Sequence, residues 1–193
     1  MMDKIIGVIT FRQGVYSEVK KDASFTINAW IIVGVTALLV AIGGSAALAY
    51  NGRIFAWLIT AIATAAFTVA GFALGCFVIM WVAKVVFNTS STFDEIVRAS
   101  GLARVWHAVG FLGIVSIISP ALGCLVGIFR IAAALAGLAA WLFAIKEVLG
   151  MEWPQTAATV IIAWVVTLIV TLVAGVILGL LGLAGAAALG AFR

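Results

Sequence analysis

Long uninterrupted apolar runs, separated by short polar breaks, dominate the chain. The first runs from about Ala29 to Ala49 without a charge, and Tyr50-Asn51-Gly52-Arg53 closes it as a tight polar turn. The second, Ile54 to Phe87, is broken only by Lys84. At about 1.5 Å rise per residue it exceeds what a ~30 Å hydrocarbon core requires, so it should tilt or project beyond the membrane. A third, short run from about Val105 to Ser119 ends at Pro120, with a hairpin expected over Pro120-Ala121-Leu122-Gly123. A fourth extends from about Cys124 to Ile145, and Trp153-Pro154 opens a fifth from about Ala157 to Leu180. The pattern predicts an all-α polytopic membrane protein with five transmembrane helices.

Two mixed segments differ from the spans. Over residues 1–27, Ile5, Ile6, Ile9, Tyr16 and Val19 alternate with Lys4, Arg12, Glu18, Lys20 and Lys21, which predicts interfacial amphipathic helices interrupted at Gly14. Residues 28–193 then form the membrane domain. Thr92-Phe93-Asp94-Glu95 has the spacing of a capping box and predicts a helix start, with the helix lying along the interface before turning inward.

Composition sharpens this picture. Only 9% of the 193 residues are charged, against 66% hydrophobic, too few charges to clothe a water-facing surface, since soluble domains carry about 25%. The opening residues predict no cleavable signal peptide. Net charge is +4, but the cations lie between apolar runs, where they orient the chain rather than bind nucleic acid. Lys4, Arg12, Lys20, Lys21, Lys84, Arg98, Arg104 and Lys146 fall on one side of a five-span topology, and Arg53, Arg130 and Arg193 on the other. That bias predicts a cytoplasmic amino terminus and an external carboxyl terminus.

Candidate chemistry is sparse. There is no HExxH, P-loop or Gly-rich nucleotide fingerprint, and no acid within a span to relay protons. Cys76 and Cys124 read as small packing residues, and no cofactor or metal is expected. His107, with Ala103 four residues before it, could ligate a pigment or haem axially, although hydrogen-bonded packing is the more common role of a lone His. Thr60, Thr64, Thr68, Ser116, Ser119, Thr167 and Thr171 are the residues that would line a passive channel or small-solute path. Small residues four apart (Gly71 and Gly75, Gly123 and Gly127, Ala133 and Gly137, Gly175 and Gly179) predict close helix packing. Lys20, Lys21, Lys84, Arg98 and Arg104 are the expected contacts to anionic headgroups or a partner, each worth about 1 kcal/mol near such a surface. Arg130, alone within a run, is expected to snorkel to headgroups.

Several strings resemble the Yip domain family (Ypt/Rab-interacting proteins), its prokaryotic branch above all. They are Gly7-Val8-Ile9-Thr10-Phe11-Arg12, Val15-Tyr16-Ser17-Glu18-Val19, Ala29-Trp30-Ile31-Ile32-Val33, Thr92 to Glu95 through Gly101-Leu102-Ala103 and Trp106, and Lys146-Glu147, Trp153 and Gln155-Thr156. The resemblance implies a short cytoplasmic segment followed by five closely spaced spans in a prokaryotic plasma membrane. Eukaryotic relatives bind small GTPases and carry an Asp-Leu-Tyr-Gly-Pro motif that is absent here, so GTPase binding is not carried over. The function expected is non-enzymatic: a scaffold, accessory subunit or membrane organiser that binds anionic lipid, other membrane proteins or itself.

Overall fold

The computed structural model describes residues 2–12, 14–169 and 172. Among them every regular element is helical: α1 (Met2–Ile9), α2 (Val15–Lys21), α3 (Phe25–Gly44), α4 (Ala46–Tyr50), α5 (Ile54–Phe87), α6 (Phe93–Ala103), a 3-10 helix (Arg104–Ile117) and α7 (Pro120–Leu149). The last is α8, described over Trp153–Ile169. Four helices are long and apolar enough to cross a membrane: α3, α5, the continuous stretch Phe93–Ile117, and α7 from Ala121. α8 is a shorter apolar helix. The expected fifth span is therefore described only in part, and Thr171, Gly175 and Gly179 lie outside the described residues.

The element boundaries have local causes. Gly14 (φ 80°) occupies the left-handed region that an L side chain resists and so separates α1 from α2. The first apolar run breaks at Ser45, whose hydroxyl donates to the Ala41 carbonyl at 2.7 Å, so α3 ends and the one-turn α4 begins. The hairpin expected over Pro120 to Gly123 is not there. Pro120 instead opens α7, where its missing N–H costs nothing, and the turn is confined to Ile118 and Ser119.

The capping box forms as its spacing predicts. The Thr92 hydroxyl accepts from the Glu95 amide at 3.4 Å, and the Glu95 carboxylate accepts from the Thr92 amide at 3.1 Å. Thr92→Ala should lower stability by about 1 kcal/mol, seen as a lower thermal midpoint in mild detergent. An unchanged midpoint would mean that the box contributes nothing.

α6 is enclosed by other helices. Residues Ile96 to Ala103 are all buried, and the helix runs straight into the 3-10 segment as one 25-residue element. The 3-10 winding solves a length problem, because its 14 residues rise about 2.0 Å each and so cover ~28 Å, close to a ~30 Å hydrocarbon core. As an α-helix the same residues would rise only about 21 Å.

Depth along the other spans can be counted from the end of the bundle that carries the turns at Asn51 and Ser119. About 20 helical residues cross the core, which reaches Ala73 on α5 and Ala140 on α7. Phe72, Arg104 and Gly137 border one cavity, and Trp106 and Trp141 lie in the same layer. Beyond it, the ends of α5 and α7 join α1, α2 and α6 in a cap around a single core. Val8, Val15, Val19, Phe25, Ile79, Ile96, Leu102, Ile145 and Val148 all belong to that core. The amphipathic amino-terminal helices are thus part of the cap's packing.

Candidate functional site

The cap is tied together by polar contacts between segments distant in sequence. Glu147, near the end of α7, accepts hydrogen bonds from the Gly14 amide (3.3 Å), the Ser17 amide (3.0 Å) and the Ser17 hydroxyl (3.1 Å). A carboxylate from a remote helix thereby satisfies the free amides that open α2. Beside it the Tyr16 phenol is buried without a hydrogen-bond partner, and burial followed by the Glu147 charge pushes its pKa well above the usual range. The Lys20 ammonium donates to the Val148 carbonyl at 2.6 Å, and the Ser91 hydroxyl reaches the same oxygen at 3.1 Å. Nothing local in the sequence signals the Glu147 contact, because its partners lie 130 and more residues away.

The six cations expected at lipid or a partner have different surroundings. Lys21 and Lys84 are exposed on the cap, and Lys84 borders a polar depression with Asn88, Thr89 and Ser90. Lys20 is half-buried and occupied by Val148, with Glu95 4.0 Å away. Arg98 is turned inward at 8% exposure, donating to the Lys20 carbonyl at 2.6 Å and the Thr26 hydroxyl at 3.1 Å. It joins α6 to the end of α2 and the start of α3. Arg130 is half-buried on α7.

Arg104 borders a cavity of about 340 Å³ between α5, α6, α7 and α8. Its guanidinium lies 4.8 Å from the Phe72 ring centroid, and among the described residues no carboxylate pairs with it. His107 follows three residues later, one turn of 3-10 helix, and so shares its face. The Ser100 hydroxyl, 1% exposed, lies against the Cys76 thiol on the same wall. Leu138, Trp141 and Trp164 complete the apolar side, and Leu138 and Trp164 are themselves exposed, so the cavity opens laterally toward lipid. The sequence singles out Arg104 as a cation and His107 as a lone histidine, but not Ser100 or the tryptophans across from them.

The small-residue pairs divide likewise. A Cβ on Gly71 or Gly127 would meet nothing within 4 Å, on Gly75 it would meet the Thr167 hydroxyl at 3.6 Å, and on Gly123 the Ser116 Cβ at 3.5 Å. Gly137 faces the His107 ring at 3.2 Å. The tightest approaches are elsewhere, between Gly43 of α3 and Gly110 and Gly113 of the 3-10 helix. Of the proposed channel-lining hydroxyls, Thr68, Ser116 and Thr167 donate to carbonyls of their own helices.

A clasp fastens the amino-terminal end of the cap. Lys4 donates to Asp22 at 2.5 Å and lies 4.7 Å from the Phe25 ring centroid, and the Ser24 hydroxyl also donates to Asp22. The hydrogen bonds from Lys4 and then Ser24 lower the Asp22 pKa from 3.8 to about 2. A depressed carboxylate stabilises the folded form fully above its unfolded pKa, and that contribution is lost as pH falls through the folded value. Amide protection over residues 2–22, taken relative to the intrinsic exchange rate at each pH, should accordingly fall below pH ~4 and keep falling toward pH ~2, and Asp22→Asn should weaken that dependence. Equal pH dependence in the variant would rule the clasp out.

A family model described as the Yip1 domain matches residues 6–175, spanning both the cap and the cavity. No curated protein and no solved structure matches the chain.

Proposed function

The chain belongs to the Yip1 domain family, and we propose that this multi-pass membrane protein acts by binding rather than catalysis, as a scaffold, accessory subunit or membrane organiser. The observation that carries the reading is the apolar edge of the cap. α1 buries Gly7 and Val8 but leaves Met2, Ile6 and Ile9 exposed, and Phe11 just beyond it is exposed as well. Phe11 stacks on Trp106 at 5.6 Å between ring centroids, which sets this edge at the aromatic layer. An exposed apolar edge beside exposed Lys21 and Lys84 suits a partner membrane protein seated on anionic headgroups.

In this reading the capped end faces the cytoplasm of a prokaryotic plasma membrane, as the excess of Lys and Arg there favours. Gly127, with open space around it, is a place where a neighbouring chain's helix could approach closely. Photocrosslinking in native membranes tests the proposal. A crosslinker at Ile6 should capture a defined membrane partner or a second copy, and one at Tyr50, at the opposite end, should not. Recovery of uncrosslinked monomer from both positions would refute it.

A further inference from the structure

The cavity beside Arg104 has the make-up of an anion site at the junction of the cap and the spans, and we propose that it holds the phosphate of an anionic phospholipid. The proposal builds on the lipid-binding part of the reading above and is independent of any protein partner. Three observations meet there. First, Arg104 brings a permanent positive charge to a largely apolar wall, and none of the described residues bordering the cavity is acidic. All seven Asp and Glu of the chain (Asp3, Glu18, Asp22, Asp94, Glu95, Glu147 and Glu152) lie in the cap or its connections. Among the described residues the charge is met only by the face of the Phe72 ring, which leaves room for a counter-charge from a bound molecule.

Second, the donors suit phosphate. A guanidinium offers a planar fork that matches two phosphate oxygens. The buried Ser100 hydroxyl, with the Cys76 thiol against it, borders the same space, and the His107 ring stands one 3-10 turn from Arg104. Third, the position is right: Arg104 stands where α6 passes into the 3-10 helix, at the junction of the cap and the spans. The opening past Leu138 and Trp164 leads to lipid, so acyl chains can leave along α7 and α8 while the phosphate stays at the guanidinium. A free anion would use the same donors but not that apolar exit.

The test is native mass spectrometry of the purified, delipidated full chain, given dioleoyl phosphatidylglycerol, dioleoyl phosphatidylcholine or inorganic phosphate in separate arms. The wild type should retain the phosphatidylglycerol about tenfold better than the phosphatidylcholine, whose phosphate is the same but whose choline cation would lie against the uncompensated Arg104 charge. Arg104→Ala should bring the two to parity, and Arg53→Ala, at the opposite end of the bundle, should keep the preference. Gly71→Leu provides a second variant, because a Cβ at Gly71 enters open space and the added side chain fills the cavity without removing any charge. It too should lose the lipid, which keeps the test decisive if Arg104→Ala does not fold. Equal retention of the two lipids by the wild type, an undiminished preference in both variants, or inorganic phosphate displacing the lipid outright would overturn the proposal. None of these results depends on whether Ile6 captures a partner.

Discussion

Replacing Gly43 with alanine should destabilise the protein by about 3 kcal/mol or more, a larger effect than any other single methyl group added to a glycine in the described spans. The reason is what the new Cβ would meet. At Gly43 the nearest atom is the Gly110 carbonyl oxygen, closer than any real Cβ contact, with the Phe111 oxygen next at 3.1 Å. From the other side, a Cβ on Gly113 would stand 2.5 Å from the Gly43 carbonyl oxygen, and one on Gly110 2.8 Å from the Val40 side chain. Backbone on both sides leaves no flexible side chain to give way, so α3 and the 3-10 helix must separate. In lipid, helices associate by close packing and not by the hydrophobic effect, so a lost backbone approach is not regained by other burial.

Gly71→Ala is the matched control. Its methyl enters open space on α5, and relief of glycine's backbone entropy should leave stability unchanged or raise it by up to about 1 kcal/mol. Thermal midpoints of both variants in the same detergent decide the matter. If Gly43→Ala melts with the wild type, the crossing is looser than the geometry requires.

That contrast explains what the sequence could and could not reveal. The spans were legible because hydropathy and charge are local, and so was the capping box at Thr92, whose partners lie three residues apart. Small pairs four apart, such as Gly71 and Gly75, register as flat faces because an α-helix repeats near four. Gly110 and Gly113 are three apart and align along a face only if the chain is wound at three residues per turn. Hydropathy is blind to winding, so neither the 3-10 segment nor the glycine crossing it permits could be read. Arg98 was legible as a cation but not as an inward one. Its partners, the Lys20 carbonyl and the Thr26 hydroxyl, lie more than seventy residues earlier. The lone cation at Arg104 was visible, whereas the cavity needed four helices brought together.

Glu147→Gln should release α2 from the cap at a cost of about 3 kcal/mol, because hydrogen bonds to a charged group contribute about 1.5–3 kcal/mol each and do not add fully. Gln has nearly the same volume, so the loss is one of chemistry and not of packing. The carboxylate accepts from two amides and a hydroxyl of the same short segment. An amide keeps one acceptor oxygen and turns an NH2 toward those same N–H donors, which leaves at least one of them facing another donor. It also removes the negative charge that complements the amino-terminal end of α2.

Losing that anchor should loosen the α2 side of the cap while the spans, held by their own packing, stay folded. Trypsin added to the capped side of proteoliposomes should then cut after Lys20 and Lys21 many times faster in the variant. Ser17→Ala, which deletes only the hydroxyl bond, should produce a smaller change in the same direction, about 1 kcal/mol. Because α1 packs against α2 as well as against α6 and the 3-10 helix, the Glu147 variant should also weaken, without abolishing, capture from Ile6. Cleavage at the wild-type rate, with Ile6 crosslinking intact, would show that buried contacts of Val15 and Val19 hold α2 without the carboxylate.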